Sequence, residues 1–347
     1  MFSEISSAQW VLWLGLAIGV AYGVTTQLSG FCLNSAVRQQ VLARDGNKLR
    51  SFLLAIVVAI LGTQIAAHQG LIDLSSSIYL PNSFSWWLVP FGGLMFGYGM
   101  ILARGCGSRT LVLLAQGNLR SLLVLLCLGI SAFATLSGVL APLRATVGGF
   151  SQMTLSHSTF ASDLSRWGFV ATLCGLLLIF VFRDKTFLKH RGDVLAGVSV
   201  GLLVIAGWLT TGWIGVDEFE PVPVASLTFV APIGATIQYV MIASGMTLSF
   251  GIVVVLGIVL GAHLSARLTG AFRLTGFEKP TDMPRYILGG TLMGVGGALA
   301  MGCSIGQGIT GMSTLSFISI IAFLGILAGA WLAVWREQSL LAATKPI

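Results

Sequence analysis

The chain runs to 347 residues, of which 55% are hydrophobic and only 9% charged, with a mean hydropathy of +0.91. That leaves too little polar surface to cover a water-exposed globule, which excludes soluble enzymes, nucleic-acid binders and secreted disulfide scaffolds. The net charge of +7 is therefore read by its position relative to a bilayer rather than as the mark of an acidic partner.

A run of about 20 mostly apolar residues crosses a bilayer as a helix. The fold class read from this is an all-α polytopic membrane protein with about nine spans. They fall at about 10–28, 51–68, 86–103, 121–141, 167–182, 194–213, 247–265, 286–302 and 316–335. No charge interrupts the windows between Asp193 and Asp217, Glu220 and Arg267, or Arg285 and Arg336. Only Glu4 precedes the first apolar run, so it lacks the basic n-region of a cleavable signal. Basic clusters follow the first, fifth and seventh spans: Arg38 to Arg50, Arg183 to Arg191, and Arg267 to Arg285. The alternate loops carry Asp73, or Asp217, Glu218 and Glu220. Basic loops stay in the cytoplasm. The expectation is a multi-pass protein of the bacterial inner membrane, with a periplasmic N-terminus and a cytoplasmic C-terminus. On that topology only Arg144 and Arg166 of the 19 Lys and Arg lie outside.

Residues 29–37, 104–116 and 303–313 are Gly-rich and polar between apolar runs, and 225–243 contain Pro232 and Gly234. Non-helical backbone at membrane depth is tolerated only inside protein or along a wet cavity, so these read as re-entrant elements. A shift of 197 superposes Gly92, Gly93, Gly97, Gly99, Gly105 and Cys106 on Gly289, Gly290, Gly294, Gly296, Gly302 and Cys303. A shift of 182 superposes Gly15, Gly19 and Gly30 on Gly197, Gly201 and Gly212. The whole chain then reads as one transport domain. Its halves, about 8–142 and 192–336, are inverted and pseudo-symmetric around a connecting helix at about 167–182, and the substrate site lies at their interface. Gly15/Gly19, Gly93/Gly97, Gly197/Gly201, Gly257/Gly261, Gly290/Gly294 and Gly325/Gly329 are small-xxx-small pairs for close helix packing.

Familiar catalytic signatures are missing. The chain has no C-x-x-C, no H-E-x-x-H and no Gly followed by Lys for a phosphate loop. Residues 197–201 match a nucleophile elbow on paper, but they lie inside an apolar helix where the required strand-to-helix turn cannot form. His68, His157, His190 and His263 have no metal-ligand spacing, and no carboxylate lies inside a span to relay protons. No metal or cofactor is implied. Cys127 and Cys174 sit within apolar helices and read as small hydrophobes. Cys32, Cys106 and Cys303 each sit in a Gly-containing break, flanked by Gly105, Gly107 and Gly302, and are the candidate site. Ser304, Gln307 and Arg109 stand in the same breaks, as do Asn34, Arg104, Ser108, Thr110, Gln116 and Thr310. The equivalence of Cys106 and Cys303 predicts a central pair on the pseudo-twofold axis, with Cys32 displaced toward the cytoplasmic exit.

Gly-Phe-Cys at 30–32, Gly-Cys-Gly at 105–107 and Gly-Cys-Ser-Ile-Gly at 302–306, within this double repeat, resemble the YeeE/YedE sulfur-transport family over nearly the whole chain. The resemblance implies a permease, not an enzyme, that brings thiosulfate or a related sulfur anion into the cytoplasm. It implies that the three loop cysteines line the route, and that a separate cytoplasmic sulfur-carrier protein accepts the sulfur. Two further readings stay open at this point: transport of sulfide, sulfite or selenite, and a membrane thiol oxidoreductase working through the same cysteines.

Overall fold

The structure, a computed structural model, describes residues 6–81, 83–154, 163–216, 222–277 and 282–343. In chain order the helices are α1 (Ser7–Ser29), α2 (Leu33–Arg38), α3 (Asn47–His68), α4 (Leu88–Leu102), α5 (Gly107–Ala115), α6 (Leu119–Leu136) and α7 (Ala141–Gly149). They continue as α8 (Asp163–Phe182), α9 (Lys185–Lys189), α10 (Arg191–Leu209), α11 (Val230–Ile242), α12 (Phe250–Leu268), α13 (Met283–Leu299) and α14 (Phe317–Ala343). The protein is an all-α polytopic membrane protein. Among the described residues, eight helical segments are long and apolar enough to cross a bilayer. The ninth expected span is α13, whose 17 residues pack between α4 and α6. Among the described residues, the one feature of regular strand is a short antiparallel pair, β1 (Ser83–Ser85) with β2 (Gln152–Thr154).

Local chemistry sets the ends. The Ser6 side chain accepts from Gln9 N–H to start α1, and Gly30, left-handed at φ 66, closes it. Asn118 caps α6 by accepting from Arg120 N–H, and Pro284 stands in the first turn of α13. Within 225–243 the chain forms the shorter apolar helix α11, with Phe229 as its N-cap.

The small-xxx-small pairs lie at the helix seams. Gly19 meets Gly257 where α1 crosses α12, and Gly93 meets Gly325 where α4 crosses α14. Gly197 and Gly201 of α10 seat against Ser51 O and Ala55 O of α3, and Gly290 of α13 seats against Val124 O of α6. Between α4 and α13 the approach is reciprocal. A Cβ on Gly92 would stand 2.8 Å from Gly296 O, and one on Gly99 would stand 2.7 Å from Gly289 O. Shifting the first pair by 197 gives the second.

Basic residues gather at one end of the bundle, called here the basic end. There Lys48 pairs with Asp193 at 2.6 Å, Arg50 with Asp184 at 2.9 Å, and Arg38 with Glu337 at 2.9 Å, which ties α2, α3, α10 and α14 together. Hydrogen bonds from the Thr186 hydroxyl and amide, with Arg50 nearby, hold the Asp184 carboxyl below the usual carboxylate range. Carboxylates of the described residues stand at helix ends and in loops, as Asp163, Asp193 and Asp282 do, or, for Glu337, in the last two turns of α14. Asp217, Glu218, Glu220 and His157 lie outside the described residues.

Candidate functional site

Three helices of the bundle break at a cysteine, and each break is held by identifiable bonds. After Gly30 and Phe31, Cys32 is extended at φ −169 and becomes the N-cap of α2. Phe31 stacks on Phe52 at 5.5 Å, and Phe52 stacks on Phe323 at 5.9 Å. Asn34 Nδ2 donates to Met100 O across to α4. In the second break Cys106 is the N-cap of α5, and its carbonyl accepts from both the amide and the hydroxyl of Thr110. In the third break Gln307 N–H donates to Cys303 O at 2.7 Å and Gln307 Nε2 donates to Ala300 O at 2.8 Å. Gly306 N–H donates to Cys303 Sγ at 3.2 Å, and a π-helical turn then runs over Gly306–Gly311.

At the second and third breaks, unlike the first where Gly30 makes the turn, the bend is not made at a glycine. Arg104 and Met301, both at φ 58, take the left-handed conformation, and they are equivalent under the shift of 197. Each closes its helix as a Schellman cap: Gly105 N–H bonds Met100 O, and Gly302 N–H bonds Gly297 O. The glycines follow the bend and supply space instead. A Cβ on Gly302 would stand 3.0 Å from Gln307 Cγ, and one on Gly306 would stand 2.6 Å from Thr228 Oγ1. Gly107, the first residue of α5, has room for a Cβ at ordinary contact distance.

All three cysteines are buried, at 3% exposed or less. Cys32 Sγ and Cys106 Sγ touch at 3.4 Å, and Cys106 Sγ lies 3.4 Å from Ser108 Oγ. The Cys106 thiol also faces Ser304 of the third break. The expected central pair was Cys106 with Cys303; the thiols in direct contact are Cys32 and Cys106. The reason lies in helix direction. Helices α1 and α4 both run toward the basic end before they break, whereas α13 runs away from it, so inversion sets equivalent breaks at different depths.

The two arginines beside Cys106 part ways. Arg109 Nη1 donates to Thr26 O and holds the last turn of α1. Arg104 lines an open cavity of about 610 Å³ at the basic end together with Asn34, Ser35, Arg38 and Gln39. Thr110 and Thr310 are spent on backbone carbonyls, of Cys106 and Leu227. Cys127 and Cys174 stand apart from the site, in α6 and α8.

Two tyrosines join the cluster that the sequence did not mark. Tyr22 of α1 is fully buried, its ring 5.3 Å from that of Phe229, and its hydroxyl lies beside Ser108 in the neighbourhood of the three thiols without a hydrogen bond of ordinary geometry. Tyr79 comes from the loop after α3. Its ring packs edge-on to Trp208, its carbonyl accepts from Ser316 Oγ, and its hydroxyl lies against Gly306 and Thr228 beside Cys303, also without a hydrogen bond of ordinary geometry. A tyrosine in an apolar helix or an uncharged loop reads as packing; only the absence of a partner marks it, and sequence does not carry that.

A family profile described as sulphur transport matches residues 28–332. The chain is similar to the thiosulfate transporter TsuA of Escherichia coli (strain K12), 26% identical over 96% of this chain and 95% of that protein. It is similar to the thiosulfate transporter TsuA of Spirochaeta thermophila as well, 26% identical over 94% of this chain and 98% of that protein.

Proposed function

The chain belongs to the sulphur-transport family, and from that premise we propose that it carries thiosulfate across the bacterial inner membrane into the cytoplasm, along the thiols of Cys303, Cys106 and Cys32. One observation carries the reading: three buried cysteines stand at the starts of the helical turns that follow three breaks, two of them in thiol contact.

Thiosulfate is a small dianion, and stripping its water in hydrocarbon costs tens of kcal/mol in the idealised limit. The starts of α2 and α5 present backbone N–H groups that have no partner within their own helix and the positive ends of helix dipoles, which offset part of that cost. Neutral thiols are weak S–H donors. They suit the soft, polarisable sulfur terminus of the anion and release it readily, whereas a fixed Lys or Arg at the same depth would hold it. Cys303 meets the anion first and Cys106 receives it. Cys32, against Cys106, delivers it toward the cavity lined by Arg38 and Arg104, whose positive charge draws an anion to that exit. The reciprocal contacts of α4 and α13 support two inverted halves with the cysteines at their interface. The same basic face is where a separate sulfur-carrier protein would dock and take the sulfur.

Uptake of radiolabelled thiosulfate into proteoliposomes of the purified protein tests this, with sulfate, sulfite and sulfide as competitors. Saturable uptake that thiosulfate itself competes best is the expected result. Uptake of sulfide or sulfite in its place would move the substrate within the family. The contact of Cys32 with Cys106 also suits a membrane thiol oxidoreductase; uptake of intact thiosulfate with no electron acceptor present rules that reading out.

A further inference from the structure

The cysteines account for only one end of a sulfur oxyanion. Thiosulfate offers one soft sulfur and three hard, charged oxygens, and oxygens of that kind prefer O–H and N–H donors to S–H. Among the described residues, the buried side-chain atoms without a hydrogen-bond partner include the Tyr22 hydroxyl, the Tyr79 hydroxyl and Ser304 Oγ. All three lie at the cysteine cluster. A buried hydroxyl left unsatisfied costs on the order of 1–3 kcal/mol, so such groups are scarce in a folded chain unless something else uses them.

The two phenols are also held still. The Tyr22 ring is fixed against Phe229, which starts α11. The Tyr79 ring is fixed against Trp208, whose Nε1 donates to Ser313 Oγ at 3.1 Å, and its backbone is tied to Ser316. A Cβ on Gly306 would stand 3.2 Å from the Tyr79 hydroxyl, so a glycine there keeps that hydroxyl open beside the Cys303 sulfur, to which the Gly306 N–H already donates.

We infer that Tyr79 and Tyr22 are the oxygen-binding counterparts of the cysteines: Tyr79 donates to the oxyanion end of the substrate at Cys303, and Tyr22 donates to it at Cys106 and Cys32. The substrate class follows from this pairing. The route takes anions with a polarisable sulfur at one end and oxygens at the other, and discriminates against sulfide, which has no oxygen to offer. The inference rests on the sulfur-anion reading above and deepens it.

Tyr79→Phe and Tyr22→Phe remove one oxygen atom each and leave both rings in place. Since neither hydroxyl makes a hydrogen bond of ordinary geometry, with only Ser108 beside Tyr22 and Thr228 beside Tyr79, thermal stability of both variants should stay close to that of the wild type. A merely structural tyrosine would give the same result. Transport is the readout that separates the two. The loss of a donor to a charged oxygen corresponds to about a tenfold to hundredfold rise in KM for thiosulfate, with any sulfide uptake unchanged. Radiolabelled thiosulfate, sulfite, sulfate and sulfide are each measured on wild type and both variants in proteoliposomes. Unchanged KM for the transported oxyanion in both variants would overturn the assignment. If wild type ignores thiosulfate but carries sulfite or sulfate, the substrate proposed above fails, and the tyrosines are judged by the same KM shift on that oxyanion. A wild type that carries only sulfide would overturn both.

Discussion

Cys106→Ala and Cys303→Ala should each cut thiosulfate uptake at least tenfold, the effect of removing a donor to a charged ligand, while the protein still inserts and remains folded. Uptake at the wild-type rate by either variant, at equal amounts in the membrane, would remove the thiols from the route. Cys32→Ala should weaken uptake and thiosulfate binding together, because its sulfur shares a site with that of Cys106 at 3.4 Å; a slower rate with binding intact would make Cys32 an exit group alone. Cys127→Ala and Cys174→Ala should transport nearly normally, since both cysteines stand in helices away from the cluster and alanine is close to them in size. The three site cysteines are legible in the sequence because each interrupts an apolar run beside a glycine. Which two of them touch is not legible, because that depends on the depth at which each helix breaks. The left-handed turns at Arg104 and Met301 are hidden for a different reason: the neighbouring glycines draw the eye one residue too far.

Helix packing follows from glycine spacing wherever a partner helix arrives. Gly97 faces Ile326 O and Ala330 N of α14, with no room for a methyl group. Gly97→Ala should therefore cost about 1–3 kcal/mol by overpacking, read as a fall in the unfolding midpoint in detergent. Gly175 in α8 has nothing within 4 Å of a Cβ, so Gly175→Ala should leave the midpoint unchanged or raise it by about 0.5–1 kcal/mol. Equal effects of the two substitutions would mean that the α4–α14 seam does not carry the packing. The main helices are legible from their apolar length to within a few residues. The short α7, Ala141–Gly149, and the β1–β2 pair are not, because neither has the length or the apolar run that makes an element stand out. The π-helical turn at Gly306–Gly311 escapes as well, since its sequence reads only as a glycine-rich gap.

For the molecule as a whole, orientation rests on where the basic residues gather. Single cysteines placed at 40–50, 183–193 or 267–277, on a background without the native ones, should resist an impermeant maleimide in intact spheroplasts, and those at 70–78 should react. Labelling of the basic loops from outside would reverse the orientation and, with it, the order of cysteines along the route. The distribution of carboxylates has a consequence for the energetics. Among the described residues, Asp and Glu stand in loops, near helix ends or, for Glu337, within α14 paired with Arg38 and Arg285, away from the thiol and hydroxyl path. On the proposed thiosulfate route, a dianion that crosses without a coupled proton moves both of its charges against an interior that is electrically negative. The work is about 2.3 kcal/mol per charge for each 100 mV, or about 4.6 kcal/mol for thiosulfate, and at equilibrium it leaves the interior concentration lower by a factor on the order of a thousand. Inward flow of that kind would continue only while the cytoplasm consumed thiosulfate faster than the voltage expelled it, so on the proposed route demand on the inside would set the direction of transport.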